Sequence, residues 1–387
     1  MYLTKKQERI LEGVEGRGKQ KAMKILAALG EIYDADGMVE ITSAHVSGVS
    51  YKTIGDAGIE FLNDFASDEN VKVSVKATLN PCGMDLKNWR KQGIPENFAE
   101  KQYEIIKAFS KMGFDESYTC IPYLTGNCPG SGEHIAWAES SAICFANSMI
   151  GARTNREGGP GALSAAVLGI TPNYGFHLPE NRIADVLVNV KANVKSVYDY
   201  SALGYLVSKK IGAKIPYFKK INPGTDCAKA LAAALATGSV AMFQVEDVTP
   251  ENNYDISDKI SIDARDLEKF KNKLNKGNYD LIAAGCPHCS LDEIEAIANL
   301  LKSKRIDKIN KKFWLCTSRK IKELAERKGY VKIIEDSGAS VICDTCMVVA
   351  PVEEIAESVA TNSGKASYYL PNLCKVKAVF DSLDNII

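Results

Sequence analysis

Three cysteine segments each follow an apolar, β-rich run: Thr119-Cys120-Ile-Pro122, Gly285-Cys286-Pro-His288-Cys289-Ser290 and Ile342-Cys343-Asp-Thr-Cys346. Each run is expected to be a strand, so each cysteine is expected at a strand tip, where open α/β folds build their sites. Three thiolates delivered to one place can hold a soft metal centre. A cluster held by three rather than four thiolates keeps one iron open to substrate, and that iron can act as a Lewis acid on a leaving oxygen. The two C-x-x-C pairs also admit a structural zinc site of four thiolates. Ribbon-type zinc sites separate their pairs by roughly 15–20 residues; here a helix–strand–helix–strand stretch intervenes, which suits two βα units of one sheet. A thioredoxin-like redox pair is a third reading, although two pairs plus Cys120 exceed what it requires. Plain core thiols are a fourth; Cys144 and Cys227, inside Ala-rich helical patterns, read that way.

Other polar groups offer chemistry around these thiols. Ser290-Leu-Asp-Glu293 is a capping box, so a helix starts after Cys289, and its amides are expected to stabilise a thiolate at Cys286. Of only four histidines, His134 and His288 lie in glycine- or cysteine-rich segments, and His45 flanks the polar loop His45-Val-Ser-Gly48-Val-Ser50. A lone histidine is more often a satisfied structural residue than a catalyst. Thr361-Asn-Ser-Gly-Lys365 gathers small donors, a glycine and an ammonium, as a phosphate or carboxylate requires. There is no Gly-x-Ser-x-Gly elbow, Walker A loop or dinucleotide fingerprint.

The elements that must position these groups alternate. Helices are expected over 4–29 (a pair), 97–112, 135–149, 200–212, 226–237, 291–303 and 318–328. Strands are expected over 38–42, 70–79, 185–190, 239–245, 280–285, 311–316, 331–334 and 339–343. Such alternation predicts an α/β fold with largely parallel sheets. The 387 residues suffice for two domains, drawn at 1–215, with the first cysteine and the glycine-rich loops, and 216–387, with both C-x-x-C segments. With 48 basic and 48 acidic residues, no electrostatic case exists for a nucleic-acid or membrane partner. No signal-peptide core or bilayer-length apolar run appears, so the chain is expected to be cytoplasmic. Most of its eleven cysteines are then expected to be reduced.

Seven segments together closely resemble the aconitase X family: His45-Val-Ser-Gly-Val-Ser50, Asn80-Pro-Cys-Gly83, Thr119-Cys120-Ile-Pro-Tyr123, Gly132-Glu-His-Ile-Ala-Trp-Ala-Glu-Ser-Ser141, Gly285-Cys-Pro-His288, Asp344-Thr-Cys346 and Asn362-Ser-Gly-Lys365. The resemblance spans essentially the whole chain. It implies an aconitase-like α/β fold and a [4Fe–4S] hydro-lyase that dehydrates (R)-5-phosphomevalonate to trans-anhydromevalonate 5-phosphate, in a modified mevalonate route to isoprenoids. It assigns the cluster to Cys120, Cys286 and Cys346, leaving open whether Cys289 or Cys343 replaces its C-x-x-C partner. The family's substrate pocket maps onto Gly48, Val49, Ser50, Asn80, Pro81, Glu139, Ser140, Ser363, Gly364 and Lys365. The base is expected on a small swivelling domain carried by a separate small subunit, with Glu139 and Ser140 as the candidates within this chain. A hydroxyproline-type dehydratase of the same family and a non-catalytic zinc-stabilised scaffold are the alternatives.

Overall fold

The computed structural model describes residues 1–304 and 308–387, which build three parallel sheets and one small antiparallel pair. The N-terminal part contributes β1 (Met38–Glu40), β2 (Ser43–Val46), β3 (Lys76–Leu79), β4 (Ile135–Trp137) and β5 (Ile170–Pro172). Strands β1 and β5 pair antiparallel, while β3-β2-β4 form a parallel sheet with β2 central. Next come β6 (Ala184–Val190), β7 (Pro216–Lys219), β8 (Gln244–Val245) and β9 (Tyr254–Ile262), parallel in the order β8-β7-β6-β9. Last are β10 (Leu281–Ala284), β11 (Lys312–Thr317), β12 (Ser340–Cys343), β13 (Ser358–Thr361) and β14 (Lys377–Phe380), parallel in the order β12-β11-β10-β13-β14. The largest apolar core runs through the second and third sheets, and a second core lies under the first. The division expected between 215 and 216 falls between β6 and β7, neighbours in one sheet. Among the described residues no helix is long and apolar enough to cross a membrane.

Several expected elements differ, each for a local reason. Val71, Val73 and Val75 alternate but form no strand, because the Val73 and Ser74 N–H groups donate to Met112 and Ala166 carbonyls at helix ends; β3 starts at Lys76. His45 lies in a strand rather than a loop, wholly buried in β2. Residues 135–137 form a strand, and the helix begins only at Ser140, where the Glu139 carboxylate caps the Ser141 N–H. Residues 331–334 are helical, since Val331 and Ile334, three apart, bury one face of the helix Tyr330–Asp336. The run into Cys120 is no sheet strand: it has one bridge, Asp115 to Thr78, a Thr119 N–H donated to Leu79, and a positive φ at Tyr118.

The strand orders fix where a site can form. In the third sheet, β10 leads to β11 and β12 on one side, and the chain then returns to β13 and β14 on the other. Beyond the C-terminal ends of β10 and β13 the connections diverge and leave a crevice, the place where parallel sheets bind ligands. In the first sheet, β2 has β3 on one side and β4 on the other, so a similar crevice opens above β2.

Candidate active site

The two crevices face each other. Asn80 and Pro81 follow β3, Glu139 and Ser140 follow β4, Cys286 follows β10, Cys346 follows β12, and Lys365 starts the helix after β13. With Cys120, all of them line one cavity of about 140 Å3, closed further by Val348, Val349, Tyr369 and Leu373. The sequence reading missed these last four, which carry only an apolar signal. Gly48, Val49, Ser50, Ser363 and Gly364 stand behind the walls. Ser50 Oγ donates to the Val349 carbonyl at 2.7 Å, and Ser363 Oγ donates to the Cys286 carbonyl while capping its own helix. The Gly364 N–H donates to Ser201 Oγ at 2.6 Å, and a Cβ there would meet the Ser201 carbonyl at 2.9 Å. Gly285 has φ +97° and its absent Cβ would strike the Cys316 carbonyl, so glycine is required where the chain turns into Cys286.

Opposite charges meet inside this cavity. The Lys365 ammonium bonds the Glu139 carboxylate and reaches Ser141 Oγ at 3.3 Å; each partner of the ion pair keeps 10% of its side chain exposed. Glu139 also accepts from Asn80 Nδ2 at 2.9 Å and from Ser141 Oγ at 2.8 Å. Burial alone would raise this carboxyl, but Lys365 and Ser141 outweigh it and hold it down at about 2. Burial lowers Lys365, and Glu139 with the nearby thiols more than reverses this, so the ammonium persists.

The three thiols are not equivalent. Burial, with the charges of Glu139 and Cys346, pushes Cys120 up to about 12. Cys346 is held down at about 7, first by the Cys286 thiol and then by the Val348 and Val349 amides, against burial. The expected lowering at Cys286 is shared with Cys346: the two thiols are hydrogen-bonded to each other, and the Val348 and Val349 amides lie on the Cys346 side, so the pull downward acts there while Cys286 is raised. The capped helix after Cys289 does form, with its Glu293 paired to buried Lys229. Cys289 packs in the large core near that pair and does not line the cavity that holds Cys120, Cys286 and Cys346, while Cys343 sits beside Asp344, Arg319 and Asp85. Among the described residues no group of three or more His, Cys, Asp or Glu side chains is placed to hold a single ion. The three thiols instead border a space, as donors to a larger soft centre would.

Two of the flagged histidines stand near the thiols or the ion pair. The His288 N–H donates to Cys120 Sγ at 3.1 Å, and its ring lies between Thr119 Oγ1 and the Thr345 carbonyl. His45 lies one layer behind Asn80. His134 pairs with His177 through their Nδ1 atoms at 2.9 Å, and neither lines the cavity. Around it, residues 80–88 are laced to the third sheet. The Cys82 N–H donates to the Asp344 carbonyl at 2.8 Å, and the Cys343 N–H to Asp85 Oδ2 at 3.0 Å. Arg319 bridges the buried Asp85 and Asp344 carboxylates.

Comparison with known proteins places this geometry. Three family models match in succession: aconitase X first domain over residues 1–180, second domain over 184–272 and third domain over 279–387. The phosphomevalonate dehydratase large subunit of Methanocaldococcus jannaschii is 51% identical, over 100% of this chain and 99% of that protein. The crystal structure of Thermococcus kodakaraensis aconitase X (holo-form) superposes with a TM-score of 0.94 at 46% identity, covering 100% of this chain and 99% of that one. A more distant relative, the cis-3-hydroxy-L-proline dehydratase of Hypocrea jecorina, is 32% identical over 98% of this chain but only 67% of its own length.

Proposed function

The chain belongs to the aconitase X family, and from that premise we propose that it is the large subunit of a hydro-lyase converting (R)-5-phosphomevalonate to trans-anhydromevalonate 5-phosphate. The observation that carries the reading is the convergence of Cys120, Cys286 and Cys346 on one cavity with the Glu139–Lys365 pair. We assign these three thiols to a [4Fe–4S] cluster. The donor set suits it: three soft sulfur ligands, one of them held below the ordinary thiol range by its neighbours, beside an ammonium that balances thiolate charge. When bound, such a cluster supplies a Lewis acid for the leaving hydroxyl. The zinc-scaffold reading loses support because Cys289 and Cys343 do not line the cavity where Cys120, Cys286 and Cys346 meet, and Cys343 stands beside Asp344, Arg319 and Asp85 instead.

The remaining work falls to side chains. Lys365, fixed by Glu139 and Ser141, presents its charge to an anionic substrate oxygen. Ser140 and Asn80 line the same space and orient the substrate, while the Gly48–Ser50 and Ser363–Gly364 segments hold the walls. Glu139 is saturated with donors and held ionised, which makes it a fixed charge rather than a proton acceptor. We therefore assign the base to a separate small subunit, in keeping with the words "large subunit" in the relative's name. The cavity volume supports this: about 140 Å3 is below the roughly 300–1,000 Å3 of small-molecule pockets, as expected of a floor whose lid lies elsewhere.

The test is an anaerobic assay of the iron- and sulfide-reconstituted chain with its small subunit, following loss of water by mass. (R)-5-phosphomevalonate should react; mevalonate and cis-3-hydroxy-L-proline should not. Dehydration of hydroxyproline without turnover of phosphomevalonate would transfer the assignment to the other activity of the family.

A further inference from the structure

Behind the ion pair lies a row of buried polar side chains to which the assignment above gives no role. His45 is fully buried in β2, its ring edge-on to Trp137 with centroids 5.9 Å apart. Its Nδ1 is 2.8 Å from Thr78 Oγ1 on the neighbouring strand. That hydroxyl already accepts from Asn127 Nδ2 at 2.9 Å. Its own hydrogen has two acceptors in reach, the Ala44 carbonyl at 3.4 Å and His45 Nδ1 at 2.8 Å. Hydroxyl hydrogen bonds are favourable near the shorter distance and weak at the longer, so the hydrogen goes to the ring.

A neutral imidazole that accepts at Nδ1 carries its proton on Nε2. Two buried polar atoms have no hydrogen-bond partner, His45 Nε2 and Asn80 Oδ1, and their residues share a face: Thr78 is the register partner of His45, and Asn80 follows it by two positions. The orientation of the Asn80 amide is fixed from its other end, because the Glu139 carboxylate at 2.9 Å demands the NH2 group. The Asn80 carbonyl is therefore left for the ring. One unpaired donor and one unpaired acceptor satisfy each other; the opposite tautomer would set a bare ring nitrogen against a carbonyl and leave both buried and unpaired. Burial holds the ring neutral, with its pKa lowered to about 4 against the opposing pull of Glu139.

We propose that His45 is a positioning residue: its Nε2–H donates to the Asn80 side-chain carbonyl, completing a one-way chain of donors from Asn127 through Thr78, His45 and Asn80 to Glu139. The chain ends on the carboxylate that anchors Lys365, so His45 governs where that ammonium stands without touching substrate. The inference rests on the reading of the cavity as the reaction site.

Two measurements test it. In the unmodified metal-free chain, labelled with 15N-histidine, the ring assigned to His45 by its disappearance in His45→Gln should show a bare Nδ1 and a protonated Nε2; His288, whose Nε2 faces the Thr345 carbonyl, gives a like signal that His45→Gln leaves in place. The reverse tautomer at His45 overturns the proposal, whether or not the enzyme is active. In the reconstituted complex, His45→Phe keeps an aromatic volume but no donor, and kcat/KM should fall about 10- to 100-fold, the range seen when a partner of a metal-site side chain is lost. His45→Gln returns an N–H near the Nε2 position and should recover most of that loss. With iron content equal in all three proteins, an undiminished His45→Phe, or a His45→Gln as impaired as His45→Phe, refutes the role. Should His45→Phe fail to fold, the tautomer and the His45→Gln variant decide. An unmodified complex that is inactive overturns the functional reading instead and leaves the tautomer as the test of His45.

Discussion

Replacing Glu157 by glutamine should stabilise the chain increasingly as pH rises. Glu157 and Glu139 are equally buried, 7% and 8% exposed, yet their carboxyls move in opposite directions. Glu139 faces an ammonium and drops to about 2, whereas burial with only a 3.4 Å hydrogen bond from Thr171 pushes Glu157 up from 4.5 to about 7. A carboxyl raised in the folded state binds a proton there that the unfolded chain has released. Its contribution is therefore intact below about 4.5, is lost between there and about 7, and stays level at higher pH. At about 1.4 kcal/mol per pH unit, the full loss is about 3 kcal/mol. Glutamine carries no charge at any pH, and whatever its amide costs in fitting is constant. The stability of the Glu157→Gln variant relative to the unmodified protein should accordingly rise by about 2–3 kcal/mol between pH 5 and 8.5. Urea unfolding of both proteins at the two pH values gives the difference directly, and amide exchange over the adjoining helix Gly159–Leu168 gives a local measure. A difference that stays the same at both pH values would refute the reasoning, because it would mean that Glu157 is not titrating in this window.

Three further outcomes are expected. Single Cys120→Ser, Cys286→Ser and Cys346→Ser variants should lose iron and visible absorption, while Cys144→Ser and Cys289→Ser retain both; iron analysis after reconstitution checks this, and full iron in all three would dismiss the ligand set. Lys365→Ala should lower kcat/KM for phosphomevalonate about 10- to 150-fold, the equivalent of one charge-assisted contact of about 1.5–3 kcal/mol, and an unchanged value would remove Lys365 from the site. The reconstituted chain alone should turn over negligibly and gain activity when its small subunit is added; vigorous turnover without it would return the search for a base to Ser140.

The fold class was legible because βα alternation carries through strands such as β10 to β12, each flanked by amphipathic helices. The site was legible where residue type itself is chemical, at the three thiols and at Asn362-Ser-Gly-Lys365. What failed did so where tertiary contacts override local pattern. Val71–Val75 has the alternation of a strand but gives its N–H groups to helix ends. His45 reads as a polar loop residue because its buried neighbours, Thr78 and Asn80, arrive from the next strand. Lys365, expected to meet phosphate freely, is tied to Glu139, a partner 226 positions away that no local motif announces. Cys346 is lowered rather than Cys286 because it meets the Cys286 thiol and then the amides of Val348 and Val349, which gather there only after the turn at Asp344.

The lacing of residues 80–88 to Asp344 and Arg319 has a consequence for biosynthesis. Asp85 Oδ1 is met locally by the Lys87 and Asn88 N–H groups, but the third-sheet partners of Asp85 Oδ2 and Cys82, namely Cys343 and Asp344, lie 258 and 262 positions later. At synthesis rates of about 5–20 residues per second, that interval lasts roughly 10–50 s. Throughout it the first sheet exposes a surface with unpaired polar groups and an open apolar edge, closed only by the last quarter of the chain. Contacts of such sequence separation form slowly, so this nascent intermediate is where chaperones and proteases compete for the molecule. A mutation at Arg319, which does not line the cavity, should then reduce the yield of folded protein more than the rate of the molecules that do fold.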